Sequence, residues 1–412
     1  MSFEAERKQL LDAYQAAIGV VGGRECVARY LKNNDTDFIT RVAAVGKASV
    51  HMAAGALDVL GPRVESALVV TKRGYDEPLF SRGDPVTVME SSHPVPDEHS
   101  LKAGAALEEF VRTAPLNAGL LLLVSGGASS LVEVLPESVA EDNLSRINSW
   151  LLASGFAIGA MNRVRKRISR IKAGRLAEAL KGRRALCLMI SDVPGDNPKV
   201  IGSGLLVPHQ PDDIDVSDLD LPVWLQAIAE EAPPLCRGSL FENVRLEVVA
   251  RPADARNAAG EALAAGHHQA RVHAKLLEGD AAAVGARVAQ RLLRGPAGAE
   301  IWASETTVVL PESPGRGGRS QSFALAAAME IAGRDDIVIL AAGTDGTDGP
   351  GEDAGAMVDG GTVQRGQAEG LEPGRCLASA DAGSFLAASG DLVNTGPTGT
   401  NVMDLIIGLK TK

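Results

Sequence analysis

The most constraining feature of this chain is an apolar run that does not alternate. "AGLLLLVSGGASSLVEVLP" (118–136) stacks leucine on leucine and then breaks into Ser-Gly-Gly. A strand with one wet face alternates apolar and polar residues. A strand that is apolar throughout is buried on both faces, as in a parallel sheet covered by helices. "FITRVAAVGKASVHMAAGALDVLG" (38–61) and "RALCLMISDVPGDNPKVIGSG" (184–204) repeat the design, each an apolar strand followed by a polar, glycine-bearing turn. Such strands alternating with helical patterns predict an α/β fold. Ligands in these folds bind at the carboxyl ends of strands. The turns at Gly46-Lys47, Ser125-Gly126-Gly127 and Ser191 to Asp196 all stand at that end by chain direction alone.

At 412 residues the chain exceeds one ordinary core, which predicts two domains. The 4–32 pattern is helical, and 140–181 reads as one long helical region. Around 209–245 the sequence turns acidic and proline-bearing, which reads as the connection, so the domains are expected at 1–240 and 241–412. The second repeats the alternation, with strands at 244–250 and 337–342. A net charge of −11 argues against nucleic acid and anionic membrane as partners. No run reaches the ~18 apolar residues of a membrane helix. Four scattered cysteines without a CxxC pair predict buried, reduced thiols, no zinc site and a cytoplasmic protein.

Several short stretches carry chemistry. Lys47 stands at a strand-to-helix turn, where helix N–H groups already favour an anion. Ser125, Gly126 and Gly127 offer backbone N–H groups for a phosphate or carboxylate. The basic run "MNRVRKRISRIKAGRLAEAL" (161–180) cannot lie on one helical face, so most of its cations are expected in solvent, with Asn162 and Arg165 as inward candidates. His93 could contact substrate or make a structural hydrogen bond. Ser191, Asp192 and Asp196 lie on a loop whose carboxylates suit Mg²⁺, or cap the turn. Arg316 and Arg319 sit on a glycine-laced loop opening a helix. The helix dipole disfavours arginine there unless an anion intervenes. In "ILAAGTDGTDGPGEDAGA" (339–356), Asp345 and Asp348 are the ligand-side candidates, with Glu352 and Asp353 expected in solvent. GxGxxG and GxSxG are absent, which disfavours the common dinucleotide fold and a serine hydrolase.

Taken in order, "VGKAS", "HPVPDE", "SGGASSL", "MNRVRKRIS", "SDVPGDNPKVIGSG", "GRGGRSQSFALAAA", "AAGTDGTDGPGEDAGA" and "TGPTGTNVMDL" make the chain resemble the class II glycerate kinases, the glycerate 2-kinase/MOFRL family. The resemblance implies a Rossmann-like parallel-sheet N-terminal domain, an α/β MOFRL-type C-terminal domain and an active site in the cleft. It implies phosphorylation of D-glycerate to 2-phosphoglycerate with ATP and Mg²⁺. Lys47 and Arg319 would be the catalytic cations. Ser125, Gly126, Gly127, Asn162, Arg165, Ser191 and Arg316 would bind substrate or phosphate, and Asp192, Asp196 and Asp345 the metal. A hydroxypyruvate reductase and a non-catalytic ligand-binding homologue are the alternatives. The chain departs from the family at Arg319-Ser320-Gln321-Ser322 (usually Arg-Asn-Gln-Glu), at "SGLLVPHQ" (usually SGPTVPD), at "ASETT" (usually GGETT), and at Ala173 in a run that is usually Lys-Gly-Gly-Arg. These changes bear on substrate, metal handling and nucleotide preference.

Overall fold

A computed structural model describes residues 3–412 apart from 77 and 82. They form two compact units, one of Gly23–Ala250, the other of Arg251–Lys412 together with the chain up to Gly22.

The Gly23–Ala250 unit is built on the non-alternating strands. β1 (Ile39–Val45), β2 (Ser66–Lys72), β3 (Val86–Ser91), β4 (Gly119–Val124), β5 (Ala185–Ile190) and β6 (Val244–Ala250) form one sheet in the order β3-β2-β1-β4-β5-β6. Every pairing is parallel. β4 and β5 are buried at every position, as continuous apolar runs require. The order reverses direction between β1 and β4. At such a switch point the following loops diverge to opposite faces and leave a crevice. The Lys47 turn follows β1 and the Ser125-Gly126-Gly127 turn follows β4.

The second unit holds β7 (Ala270–Val272), β8 (Leu277–Asp280), β9 (Gly298–Thr307), β10 (Ile337–Gly343), β11 (Gly355–Asp359), β12 (Leu392–Val393) and β13 (Asp404–Lys410). The sheet order is β12-β11-β10-β13-β9-β7, with β8 also on β9. β13 runs antiparallel between β10 and β9, and its register sets Asp404 opposite both Gly343 and Ser304. The carboxyl ends of β9 and β10 and the amino end of β13 therefore share one edge.

Three expectations need correction. The 4–32 helix is two helices, Glu4–Val21 and Gly23–Lys32, parted where Gly22 turns extended. The first helix belongs with the second sheet. Its Tyr14 hydroxyl donates to Gly343 O at 2.6 Å, and its Val21 O accepts from Thr400 Oγ1 at 2.6 Å. The 209–245 stretch is not a connector. Its helix Val223–Glu231 packs Leu225 and Ile228 against Leu144, Ile147 and Val164, and β6 completes the parallel sheet. Acidic loops hid these apolar anchors, and the division falls at 250 rather than 240. The 140–181 region is broken into Asn143–Ala153, Ile158–Ile168 and Ala177–Leu180. Gly155 and Gly174 take positive φ at the breaks, and so does Ala173, at +54°. A left-handed residue is one where glycine is the unstrained choice.

Among the described residues all four cysteines are free thiols, and no helix is long and apolar enough to cross a membrane.

Candidate functional site

The candidate residues fall into two strand-end clusters, one in each unit. In the first, Gly46 leaves β1 with φ +134°, and a Cβ there would lie 2.1 Å from Ser125 Oγ and 2.7 Å from Ser125 O. Only glycine allows this approach of the two turns. Contact at this range lets the turns brace each other. Lys47 N donates to Gly126 O at 2.9 Å, Ala48 N to Ser125 Oγ at 3.1 Å, and Ser125 N to Val45 O at 3.0 Å. Ser49 Oγ donates to Val70 O at 2.9 Å, tying the start of helix Ser49–Leu60 to β2. Lys47 is half-buried, at the N-terminus of that helix.

Gly127 follows with φ +84°, and a Cβ on it would lie 2.8 Å from the His93 ring and 3.5 Å from Lys47 Cγ. His93, Gly127 and the Lys47 stem thus adjoin one another. The buried Ser125 hydroxyl accepts a backbone N–H, so Ser125 and Gly126 carry the Lys47 turn. Ser129 Oγ meets Ser203 Oγ at 2.7 Å, which fastens the loop after β5 to the same turn. This serine pair was missed in the sequence, because Ser129 reads there as one more hydroxyl after the glycines.

The other candidates of this unit have defined settings. Buried Ser191 closes the β5–β6 end, its N donating to Ala250 O at 2.9 Å. Asp192 and Asp196 are half-buried, Asp196 at φ +52°. Asn162 Oδ1 accepts from Arg165 Nη1 at 3.3 Å, one helical turn away. Burial pulls the Arg165 pKa down, while nearby Glu133 opposes this. The basic run is less solvated than its composition suggests. Lys166, Lys172 and Arg175 are all buried, and Lys172 pairs with buried Glu133.

In the second cluster the register across β10, β13 and β9 gathers carboxylates. Arg319, the first residue of helix Arg319–Glu330, pairs its Nε with Asp404 Oδ2 at 2.6 Å, its Nη2 with Asp404 Oδ1 at 3.1 Å, and its Nη1 with Glu305. These are the anions that reconcile arginine with a helix start. Burial alone would lower the Arg319 pKa, but Asp404 and Glu305 raise it. Neither acid was singled out in the sequence. The signal lay in "ASETT" and "TGTNVMDL", each a lone acid at the edge of an apolar strand.

The acidic turn after β10 divides its work. Asp348 accepts from Ser320 N at 3.0 Å and Gln321 N at 2.7 Å, capping the Arg319 helix from another loop. Burial, then repulsion from Asp404, pushes its carboxyl up to about 7. Asp345 accepts from Thr347 N at 3.0 Å and Thr347 Oγ1 at 3.2 Å. Burial raises the Tyr14 phenol, and the charges of Asp345 and Asp404 raise it further, so all three groups lie close together. Asp353 is buried against Arg316 at 2.7 Å rather than in solvent, whereas Glu352 is exposed. Arg316 N also donates to Asp381 Oδ1 at 2.8 Å.

Among the described residues no cluster of three or more histidine, cysteine or acidic side chains forms a metal cage. Mg²⁺ with a nucleotide typically uses one or two carboxylates and fills its shell with phosphate oxygens and water. Asp345 Oδ1 and Asp404 Oδ1 lie 3.3 and 3.5 Å from the point where a Cβ on Gly343 would stand. Two carboxylate oxygens converging on a side-chain-free backbone fit such a donor set.

Comparison with known proteins agrees with this architecture. Residues 9–220 match a domain of unknown function (DUF4147), and residues 298–404 match the MOFRL family. The chain is 36% identical to the D-glycerate 2-kinase of Thermotoga maritima, over 98% of this chain and 99% of that one. It is also 36% identical to a putative hydroxypyruvate reductase of Agrobacterium vitis, over 88% of this chain and 97% of that one. The crystal structure of a glycerate kinase from Thermotoga maritima superposes with a TM-score of 0.86 at 33% identity, over 99% of this chain and all of that one.

Proposed function

The chain belongs to the glycerate 2-kinase/MOFRL family of kinases, and from that premise we propose that it transfers the γ-phosphoryl group of ATP to the 2-hydroxyl of D-glycerate. The observation that carries this reading is the Lys47 turn. It is a half-buried cation at a helix N-terminus, at a sheet switch point, with its backbone fixed by the neighbouring turn.

Phosphoryl transfer needs positioning and charge neutralisation more than covalent help. Lys47 and the N–H groups of its turn bind an anionic group, substrate carboxylate or phosphate. Arg319, held in place by Asp404 and Glu305, neutralises charge on the moving phosphoryl group. Gly127 leaves the space beside Lys47 and His93 open. The C2 oxygen bonds to phosphorus as the bond to ADP breaks. The hydroxyl proton passes to a carboxylate of the Ser191–Asp196 loop, Asp192 or Asp196. Asp345 with Asp404 beside it, or Asp192 with Asp196, would hold Mg²⁺, which would supply neutralisation of phosphate charge. Asn162 and Arg165 are assigned to the substrate carboxylate. Arg316, already engaged by Asp353, is assigned to tethering its loop.

The test is coupled ADP release over a panel of small hydroxy acids, with products assigned as 2- or 3-phosphates. ATP-dependent turnover of D-glycerate to the 2-phosphate is expected. Oxidation of NADH or NADPH by hydroxypyruvate, with no ADP release on any acid, would overturn the kinase reading in favour of a reductase.

A further inference from the structure

Arg175 lies in the Gly23–Ala250 unit and is only 3% exposed. Its hydrogen-bond partners are all carbonyls: Nε to Pro233 O at 2.9 Å, and Nη1 to Lys166 O at 2.6 Å and Ser169 O at 3.0 Å. Nη2 is buried without a hydrogen-bond partner. Burial, with the like charge of Arg167, lowers the guanidinium to about 10, so it stays charged at neutral pH. A buried cation without an ion-pair partner is unfavourable. Lys172, three residues earlier, meets the same burial with a dedicated carboxylate, Glu133.

Arg175 lines a cavity of about 680 Å³. Its wall also carries Arg170, Arg237, Glu108, Glu178 and Leu240. Arg170 is already matched by Glu108 at 3.3 Å, whereas Arg237 is exposed. The elements that form the wall lead into strands. Glu108 is near the end of helix Glu98–Arg112, which returns the chain to β4; Glu178 precedes β5, and Leu240 precedes β6. They therefore gather toward the amino edge of the parallel sheet, and the Lys47 turn stands at the carboxyl edge.

We propose that this cavity is a second anion site, which takes the phosphate group of a small phosphate ester between Arg175 and Arg237. A phosphate supplies the counter-charge that Arg175 lacks, and guanidinium N–H groups match its oxygens in pairs. Leu240, Pro233 and Pro234, which also line the cavity, would cover the body of the ester. The site is independent of the kinase reading, because none of its residues is assigned a role in that reaction.

The experiment is calorimetric titration of the full-length protein with inorganic phosphate, in wild type, Lys47→Ala and Arg237→Glu. Lys47→Ala is expected to keep one phosphate site. Arg237→Glu, a change at an exposed side chain, should weaken that site by about tenfold or more while any Lys47-dependent site persists. A third variant, Arg175→Gln on the Lys47→Ala background, checked for folding by circular dichroism, should lose the phosphate-induced rise in Tm that Lys47→Ala retains, and an undiminished rise would also overturn the proposal. The proposal is overturned if Lys47→Ala abolishes all phosphate binding, or if Arg237→Glu leaves every phosphate site unchanged.

Discussion

Lys47 and Arg319 are both cations at the N-terminal end of a helix behind a sheet, Lys47 just before it and Arg319 its first residue, yet they are held by opposite means. Lys47 is placed by backbone. Gly46 lets the β1 turn press onto Ser125, and the hydrogen bonds that fix it involve main-chain N–H groups, main-chain carbonyls and the hydroxyls of Ser125 and Ser49. Arg319 is placed by charge, gripped by Asp404 and Glu305 while Asp348 caps its helix. Backbone bracing fixes the turn that carries the lysine. Carboxylate pairing fixes the arginine's direction and shares its charge. Removing the first cation leaves the backbone brace of its turn in place, whereas removing the second breaks the ion pairs that hold its helix start.

The largest expected effect tests that contrast directly. Lys47→Ala and Arg319→Ala should each lower kcat on D-glycerate by about 10²-fold or more, the scale of a lost preorganised electrostatic contact. Arg319→Ala should also lower stability through its lost pairs with Asp404 and Glu305, by about 1–3 kcal/mol. That is less than for a fully buried pair, because a third of the Arg319 side chain meets solvent. Urea unfolding beside steady-state kinetics separates the two outcomes. Equal stability loss in both variants would break the comparison.

Gly46→Ala tests the backbone side. The added Cβ meets both the Ser125 hydroxyl and carbonyl, at φ +134°. A destabilisation of about 2–4 kcal/mol is expected, combining backbone strain with overpacking, and kcat should fall with it because the Lys47 turn must move. A folded, fully active variant would show that the brace is dispensable.

The carboxylate side makes a pH prediction. The Asp348 carboxyl is raised from its ordinary 3.8 to about 7, first by burial and then by Asp404. The folded state thus holds a proton that the unfolded chain releases. This group favours folding below about pH 4, and that contribution is lost as pH rises through about 7. Asp348→Asn should flatten this component of the Tm profile between pH 4 and 8, by on the order of a few degrees. The variant should also lose part of the cap on Ser320 and Gln321. An unchanged profile would place the Asp348 pKa near its ordinary value.

The two clusters were not equally legible in the sequence. The parallel sheet followed from continuous apolar runs, and the Lys47 turn from one strand, one glycine and one lysine contiguous in the chain. The second cluster is assembled by antiparallel register. Asp404, Glu305 and Arg319 are far apart in sequence and meet because β13 pairs with both β10 and β9. No local pattern encodes that. Charge runs misled for a related reason. The 161–180 cations read as a solvated face, but Glu133 and Pro233 O, outside the run, together with the run's own carbonyls at 166 and 169, engage the buried Lys172 and Arg175. Acidic 209–245 read as a connector because its apolar anchors Leu225 and Ile228 follow an aspartate-rich stretch.

Arg316 sets the lower end of the scale and separates proximity from function. It shares the glycine-laced loop with Arg319, and composition alone made both phosphate candidates. Its guanidinium instead meets Asp353 from a side chain about half exposed. An ion pair open to water contributes roughly 0–1 kcal/mol. Arg316→Ala should therefore leave kcat within about twofold of wild type and shift the unfolding midpoint little, because the Asp381 tether runs through its backbone N–H and survives. A loss near that of Arg319→Ala would return Arg316 to the phosphate. It would also show that charge pairing in this unit does not, by itself, set a cation aside for structure.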